Sequence, residues 1–253
     1  LNIGTSGTSS TISFQTSEFV VHVLNSAGAD FDGIKASYND YGNHWLFIGN
    51  TGADGNASIE LFPGNFQFKA WKNYTRQSGY LEITTSGTAD IITFQTASAG
   101  CLVTDCDSNS PVEGIKMSFN DYGNHWLTIG YTDVNGMTAF EMFPGNDYQF
   151  RAWTIYTKKV ESMNLAFPAT QVEFNPTRVC FDYSGSVKYN DYGGHWMTLP
   201  CDSYMFPGTY SFSFDGSKVD VRISGCKGSK AILVSRLKDS KVNPVPGEQV
   251  QRG

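Results

Sequence analysis

Three tryptophans close a nearly identical eight-residue block, Tyr38-Asn-Asp-Tyr-Gly-Asn-His-Trp45, Phe119-Asn-Asp-Tyr-Gly-Asn-His-Trp126 and Tyr189-Asn-Asp-Tyr-Gly-Gly-His-Trp196. A flat indole beside Asn, Asp, Tyr and His suits sugar binding: the ring lies against the apolar face of a pyranose while polar groups take its hydroxyls. The candidate ligand-binding residues are Asn39, Asp40, Tyr41, His44 and Trp45, then Asn120, Asp121, Tyr122, His125 and Trp126, then Asp191, Tyr192, His195 and Trp196. A later strand adds Lys69 and Trp71 to the first set and Arg151 and Trp153 to the second; the third has Ser213 and Asp215 nearby instead. If the two cations touch a ligand they favour an acidic or sulfated glycan; if not, they mark a solvated face. A second reading of the whole block is structural, with Asp40, Tyr41, Gly42 and Asn43 forming a turn and His44 and Trp45 covering an edge of the core.

Other chemistries have less behind them. Asp40 and His44 on one hairpin supply too few ligands for a metal, and Asp54 and Asp133 sit in Gly/Asp turns without the spacing of a calcium loop. Nucleophilic triads, paired carboxylates and phosphate-cradling glycine loops are not visible. One motif written three times suits avidity or construction better than turnover, so the chain is expected to be neither an enzyme nor the holder of a cofactor or metal.

The blocks must be positioned by a repeat. The first two lie 81 residues apart and the third follows after 70, each trailed by a second signature: Leu61-Phe-Pro-Gly64, Met142-Phe-Pro-Gly145 and Met205-Phe-Pro-Gly208. Leu1 to Thr16 matches Leu81 to Thr96, as if the chain began in the tail of a previous copy. Ile232 to Gly247 reads like Gly100 to Gly114, the opening of another copy. The expected units are 1–16 (tail strands of a preceding repeat), 17–97, 98–176, 177–230 (shortened) and 231–253 (an opening strand or tail), with the natural protein extending beyond both ends. Few residues separate Gln95-Thr96 from Cys101, so successive units should sit nearly end to end.

Within the first copy, period-two alternation predicts strands over Phe19 to Leu24, Ile34 to Asn39, Trp45 to Gly49, Ala57 to Phe62, Phe66 to Trp71, Gly79 to Thr84 and Ile91 to Gln95. Leu46 and Ile48 then face inward and Trp45 outward; Phe66, Phe68 and Ala70 face inward and Gln67, Lys69 and Trp71 outward. A bulge near Gly42 would reverse Trp45. With 14% aromatic and 17% charged residues and 26 glycines, the expected class is all-β: tandem, small, seven-stranded sandwiches (Ig-like or transthyretin-like) arranged end to end.

Pro111-Val-Glu-Gly114, the hairpin Thr132-Asp-Val-Asn-Gly136 and the late strand Phe143 to Phe150 together resemble the transthyretin-like (prealbumin-like) repeats of bacterial surface proteins, the carboxypeptidase regulatory-like and Cna B-type groups. The first copy departs at Thr51-Gly52, where Asp is usual. The resemblance implies a surface location and an adhesin or stalk role. It also implies a Lys–Asn isopeptide bond promoted by an acid, for which Glu60 and Glu141 stand in the right place. The opening strands Phe19 to Leu24 and Leu102 to Asp105 hold no lysine, so the crosslink is not expected.

Five cysteines without CxxC spacing point to disulfides in an oxidising compartment, with Cys180 paired to Cys201 or Cys226 and one thiol left over. A net charge of -6 with no basic run argues against nucleic acid, and no apolar run is long enough for insertion into a membrane as a helix. Two readings remain: an extracellular array that binds polysaccharide or another glycan, and a stalk, adhesin or fibre element whose partners are neighbouring copies.

Overall fold

Alternation of apolar and polar side chains underlies most of the strands. The computed structural model describes residues 13–39, 42, 44–72, 75–84, 89–120, 125–190 and 194–226, and no helix occurs among them. The first seven strands are β1 (Ser17–Leu24), β2 (Lys35–Asn39), β3 (Trp45–Asn50), β4 (Asn56–Leu61), β5 (Gly64–Lys72), β6 (Thr75–Ile83) and β7 (Asp90–Gln95). They form a three-stranded sheet β4-β1-β7 and a four-stranded sheet β3-β2-β5-β6. Between the two lies a core of Phe19, Val21, Val23, Phe66, Phe68, Ala70 and Phe94, with Phe19 and Phe68 stacked at 3.6 Å between ring centroids.

The same order recurs with β8 (Ala97–Val103), β9 (Lys116–Asn120), β10 (Trp126–Tyr131), β11 (Met137–Met142), β12 (Gly145–Trp153), β13 (Lys158–Leu165) and β14 (Ala169–Phe174), as sheets β11-β8-β14 and β10-β9-β12-β13. The opening strand of this copy therefore starts at Ala97, earlier than the apolar run from Leu102 indicates, because small Ala97, Ala99 and Cys101 supply its buried positions. A third set, β15 (Thr177–Val179), β16 (Val187–Asn190), β17 (Trp196–Thr198), β18 (Ser203–Met205), β19 (Gly208–Phe214) and β20 (Ser217–Ile223), pairs as β15-β18 and β17-β16-β19-β20 around its own core.

The turns carry their own chemistry. Thr51 and Thr132 are buried, each accepting an amide (Ile34 and Ile115, both 2.9 Å) through the side-chain hydroxyl, which also donates to the carbonyls of Phe31 and Val112. Gly55 and Gly136 follow at φ +72° and +71°, where a Cβ would meet the carbonyl oxygens of Val23 and Val103 at 2.7 and 2.3 Å, so only glycine closes these hairpins.

The sandwiches interlock through the Phe-Pro-Gly turns. Phe143 leaves β11 of the second sandwich and is fully buried in the core of the first; Phe206 does the same from the third into the second. Each plug amide donates to a threonine hydroxyl at the hairpin end of the preceding sandwich, Phe143 to Thr75 at 3.0 Å and Phe206 to Thr157 at 2.7 Å. Glu141 completes the first junction, accepting from the Ser26 amide at 3.1 Å and from the Ser26 and Thr96 hydroxyls. The Glu141 carboxylate is thus engaged between sandwiches.

Disulfides join Cys180 to Cys201, across the shortened part of the third sandwich, and Cys106 to Cys226, across the second junction. The second bridge closes 120 residues of chain and contributes about 4–5 kcal/mol if unfolded-chain entropy dominates. Cys101 is the free cysteine, buried in β8, and burial pushes its thiol up to about 12.

Removing the plug should hurt the sandwich that receives it. Phe143→Ala is expected to destabilise the first sandwich by about 3–5 kcal/mol, read as faster amide exchange at Phe19, Val21 and Phe68. Unchanged exchange at those amides would mean that the first core closes without Phe143.

Candidate functional site

The outer face of each four-stranded sheet gathers the predicted residues by register. Across the first, Asn39 stands opposite Trp45 and Gln67, Ser37 opposite Phe47 and Lys69, and Lys35 opposite Trp71; Gln67, Lys69 and Trp71 in turn face Tyr80, Ser78 and Arg76. The buried partners Phe66, Phe68 and Ala70 lie on the other side, as alternation predicts.

Lys69 is the unusual member. It points outward yet is only 5% exposed, because its Nζ lies 3.6 Å from the Trp45 ring centroid and 4.2 Å from that of Trp71. The solvated-face reading of this lysine is therefore overturned: two indoles from different strands enclose it. Among the described residues no carboxylate lies within ion-pair distance of it. Burial, then repulsion from Arg76 and Lys35, lowers the ammonium to about 8. A desolvated cation on an indole face is worth about 2 kcal/mol, which offsets part of that burial.

The second sandwich repeats the arrangement with a guanidinium. Arg151 Cζ lies 4.0 Å from the Trp126 ring and 4.4 Å from the Trp153 ring, and burial lowers its pKa. Asn120 Nδ2 donates to Gln149 Oε1 at 3.1 Å on the same face. In the third sandwich Ser213 occupies the cation's place on the central strand, and Lys218, opposite it on β20, reaches over Trp196 at 5.3 Å. A shallow recess there is lined by Asn190, Trp196, Ser211, Lys218 and Asp220.

Strand geometry also corrects the first reading. Leu46 is 41% exposed despite its inward parity, because β3 is the edge strand of its sheet. Register does shift in β3, but between Phe47 and Gly49, beyond Trp45, which keeps its outward direction. Trp126 and Trp196 are half-buried rather than freely exposed. His44, His125 and His195 are exposed just before β3, β10 and β17. Asp40, Tyr41, Asn43, Asp121, Tyr122, Asp191 and Tyr192 lie outside the described residues.

No group of three His, Cys, Asp or Glu side chains that could hold a metal occurs among the described residues. Asp54 and Asp133 are engaged in their own turns. Asp54 accepts from the Asn56 amide at 3.1 Å, and Asp133 accepts from the Asn135 and Met137 amides at 2.9 and 2.8 Å; these bonds hold both carboxyls below their usual range. From sequence alone Phe62, Phe143 and Phe206 read only as turn or strand-end residues. The signal that identifies the plugs is a large apolar side chain kept at a turn, where polar residues are usual.

No family model and no curated protein matches the chain. Among solved structures it is similar to the Bacillus anthracis TIE protein, at 10% identity and TM-score 0.30 over 86% of this chain and 50% of that one. The chain thus spans half the length of that neighbour. It is also similar to GBS52, the minor pilin of Streptococcus agalactiae, at 12% identity and TM-score 0.35 over 63% of this chain and 94% of that one. A third likeness is to BcpA, the major pilin subunit of Bacillus cereus, at 9% identity and TM-score 0.26 over 87% and 98%. At this level the neighbours assign no residue role and no activity to this chain.

The enclosed lysine sets a pH dependence. Its folded pKa lies below the unfolded value of 10.5, so the unfolded chain binds the extra proton between about 8 and 10.5 and stability should rise with pH through that window. Urea midpoints measured from pH 7 to 10.5 should show the rise in the native chain and lose it in Lys69→Met. Equal slopes in the two proteins would mean that Lys69 titrates as in water.

Proposed function

We propose that the chain is a non-catalytic, extracellular structural element, a stalk or fibre segment in which locked β-sandwiches supply length. One observation carries this reading: Phe143 and Phe206 are each buried in the core of the preceding sandwich rather than their own. A linker joined only by chain would let sandwiches swing, whereas a core residue donated across the junction fixes their orientation. The Cys106–Cys226 bridge, the Arg178–Asp105 ion pair at 3.3 Å and the Thr177 hydroxyl on Asp107 at 3.1 Å add to the second junction. Two disulfides favour an oxidising, extracellular setting.

The enclosed cations fit the same role. A cation between two tryptophans already covers one face of each ring without help from a ligand. Small-angle scattering tests the locked arrangement. The native chain should fit one conformer, and Phe143→Ala/Phe206→Ala should need a distribution of inter-sandwich angles. A native chain that already needs the distribution would remove the stalk reading.

A second reading, a polysaccharide-binding array, is favoured by the first sheet, where the exposed rings of Trp45, Phe47 and Tyr80 share a face with Gln67. Affinity electrophoresis against neutral, acidic and sulfated polysaccharides decides it. Under this reading the native chain is retarded and a folded Trp45→Ala/Trp126→Ala/Trp196→Ala variant is not. Free migration through every polymer would leave the stalk alone.

A further inference from the structure

The turn that supplies Phe143 and Phe206 exists once more, at the opposite end of the first sandwich. There Phe62 follows β4 as Phe143 follows β11 and Phe206 follows β18, yet Phe62 is 55% exposed. The other parts of a junction are also present. Phe14 meets Phe62 edge to face at 6.0 Å and 71°, close to the Phe174–Phe206 pair within the second junction at 6.3 Å and 65°. Phe14 is the counterpart of Phe94 in the match between Leu1–Thr16 and Leu81–Thr96, and Phe94 is buried in the core that receives Phe143. By the same match Thr16 corresponds to Thr96, and strand register makes Glu60 the counterpart of Glu141. In the first junction Thr96 donates to Glu141; at this end Thr16 and Glu60 are both exposed.

We propose that Phe62 and Glu60 are the inserting half of a further junction, that Phe14 and Thr16 belong to its receiving half, and that its occupant is another seven-stranded sandwich of this type. The proposal rests on the reading of the chain as a locked array. The occupant must present what Thr75 and Thr157 present: a hairpin-end threonine whose hydroxyl takes the plug amide, above a core with room for one phenylalanine. The third sandwich of a second copy is a poor fit. Its β19 stops at Phe214, the counterpart of Ala70 and two residues short of where β5 ends, and β20 opens with the exposed Ser217 where β6 opens with the buried Thr75. The first and second sandwiches already hold Phe143 and Phe206. What fits is a sandwich with an unfilled core end and a hairpin like that of the first.

The test lengthens the chain by placing a duplicate of residues 17–80 ahead of Leu1, so that residues 1–16 can close the added sandwich. Amide exchange at Phe62, Phe143 and Phe206 is then compared with the chain as it stands. Exchange at Phe62 is expected to slow by about 100-fold or more, toward the rates of the other two plugs. Thr75→Val in the added copy alone should reverse the slowing at Phe62 while leaving Phe143 and Phe206 protected. Fast exchange at Phe62 in the lengthened chain, with the other plugs protected, overturns this proposal and leaves the locked array standing, whether or not the added residues fold. Fast exchange at all three plugs overturns the array reading as well.

Discussion

One contact governs how this chain is put together: a phenylalanine that starts in one sandwich and is buried in the one before it. A unit of about 80 residues buries a smaller share of its surface than a larger domain, so each buried aromatic is a large part of its core. Donating Phe143 to the first sandwich and Phe206 to the second makes neighbouring cores dependent on one another. The threonine hydroxyl that accepts each plug amide removes an unpaired donor from an apolar setting, which would otherwise oppose the insertion. Direction comes from the hydrogen bond and attraction from the ring, so the junction has one geometry rather than a range.

The outer sheet faces obey a related constraint. In the first two sheets, indoles from two strands clasp a cation on the outer face. Lys69 and Arg151 keep the arrangement with different cations because both present positive charge to a ring face. The third sandwich keeps Trp196 but moves the cation one strand over, to Lys218, a substitution that register alone makes equivalent. What persists across the three sheets is the pairing of ring with charge, not the position of the charge in the sequence.

Much of this was legible in the sequence and some was not, for physical reasons. Strand parity sorted Phe66, Phe68 and Ala70 from Gln67, Lys69 and Trp71 because a central strand is held on both sides and cannot change face. The same parity failed to predict the exposure of Leu46, since an edge strand has open space beside its inner face. The burial of Lys69 was hidden because its two tryptophans come from different strands, and only pairing through β2 brings Trp45 beside it. The Cys106–Cys226 bridge was equally hidden, as sequence spacing carries no trace of a contact between sandwiches. The plugs were visible as letters but read as turns, because a residue that packs on another unit breaks no rule within its own.

The junctions also give the array a polarity. In each, the inserting side is a Phe-Pro-Gly turn and the receiving side a threonine at a hairpin end, so the two halves differ and the contact is heterologous. Such contacts propagate in one direction and do not close on themselves as a two-fold pair would. The third sandwich departs from this at the end away from Phe206. Its last hairpin is cut to Asp215-Gly216, Cys180–Cys201 spans the part where the other copies carry a longer hairpin, and Cys226 returns the chain to Cys106 of the second sandwich. An element that keeps its plug, opens its last strand with Ser217 instead of a threonine and is fastened back by a disulfide inserts into the sandwich before it but presents no receiving end of the same kind.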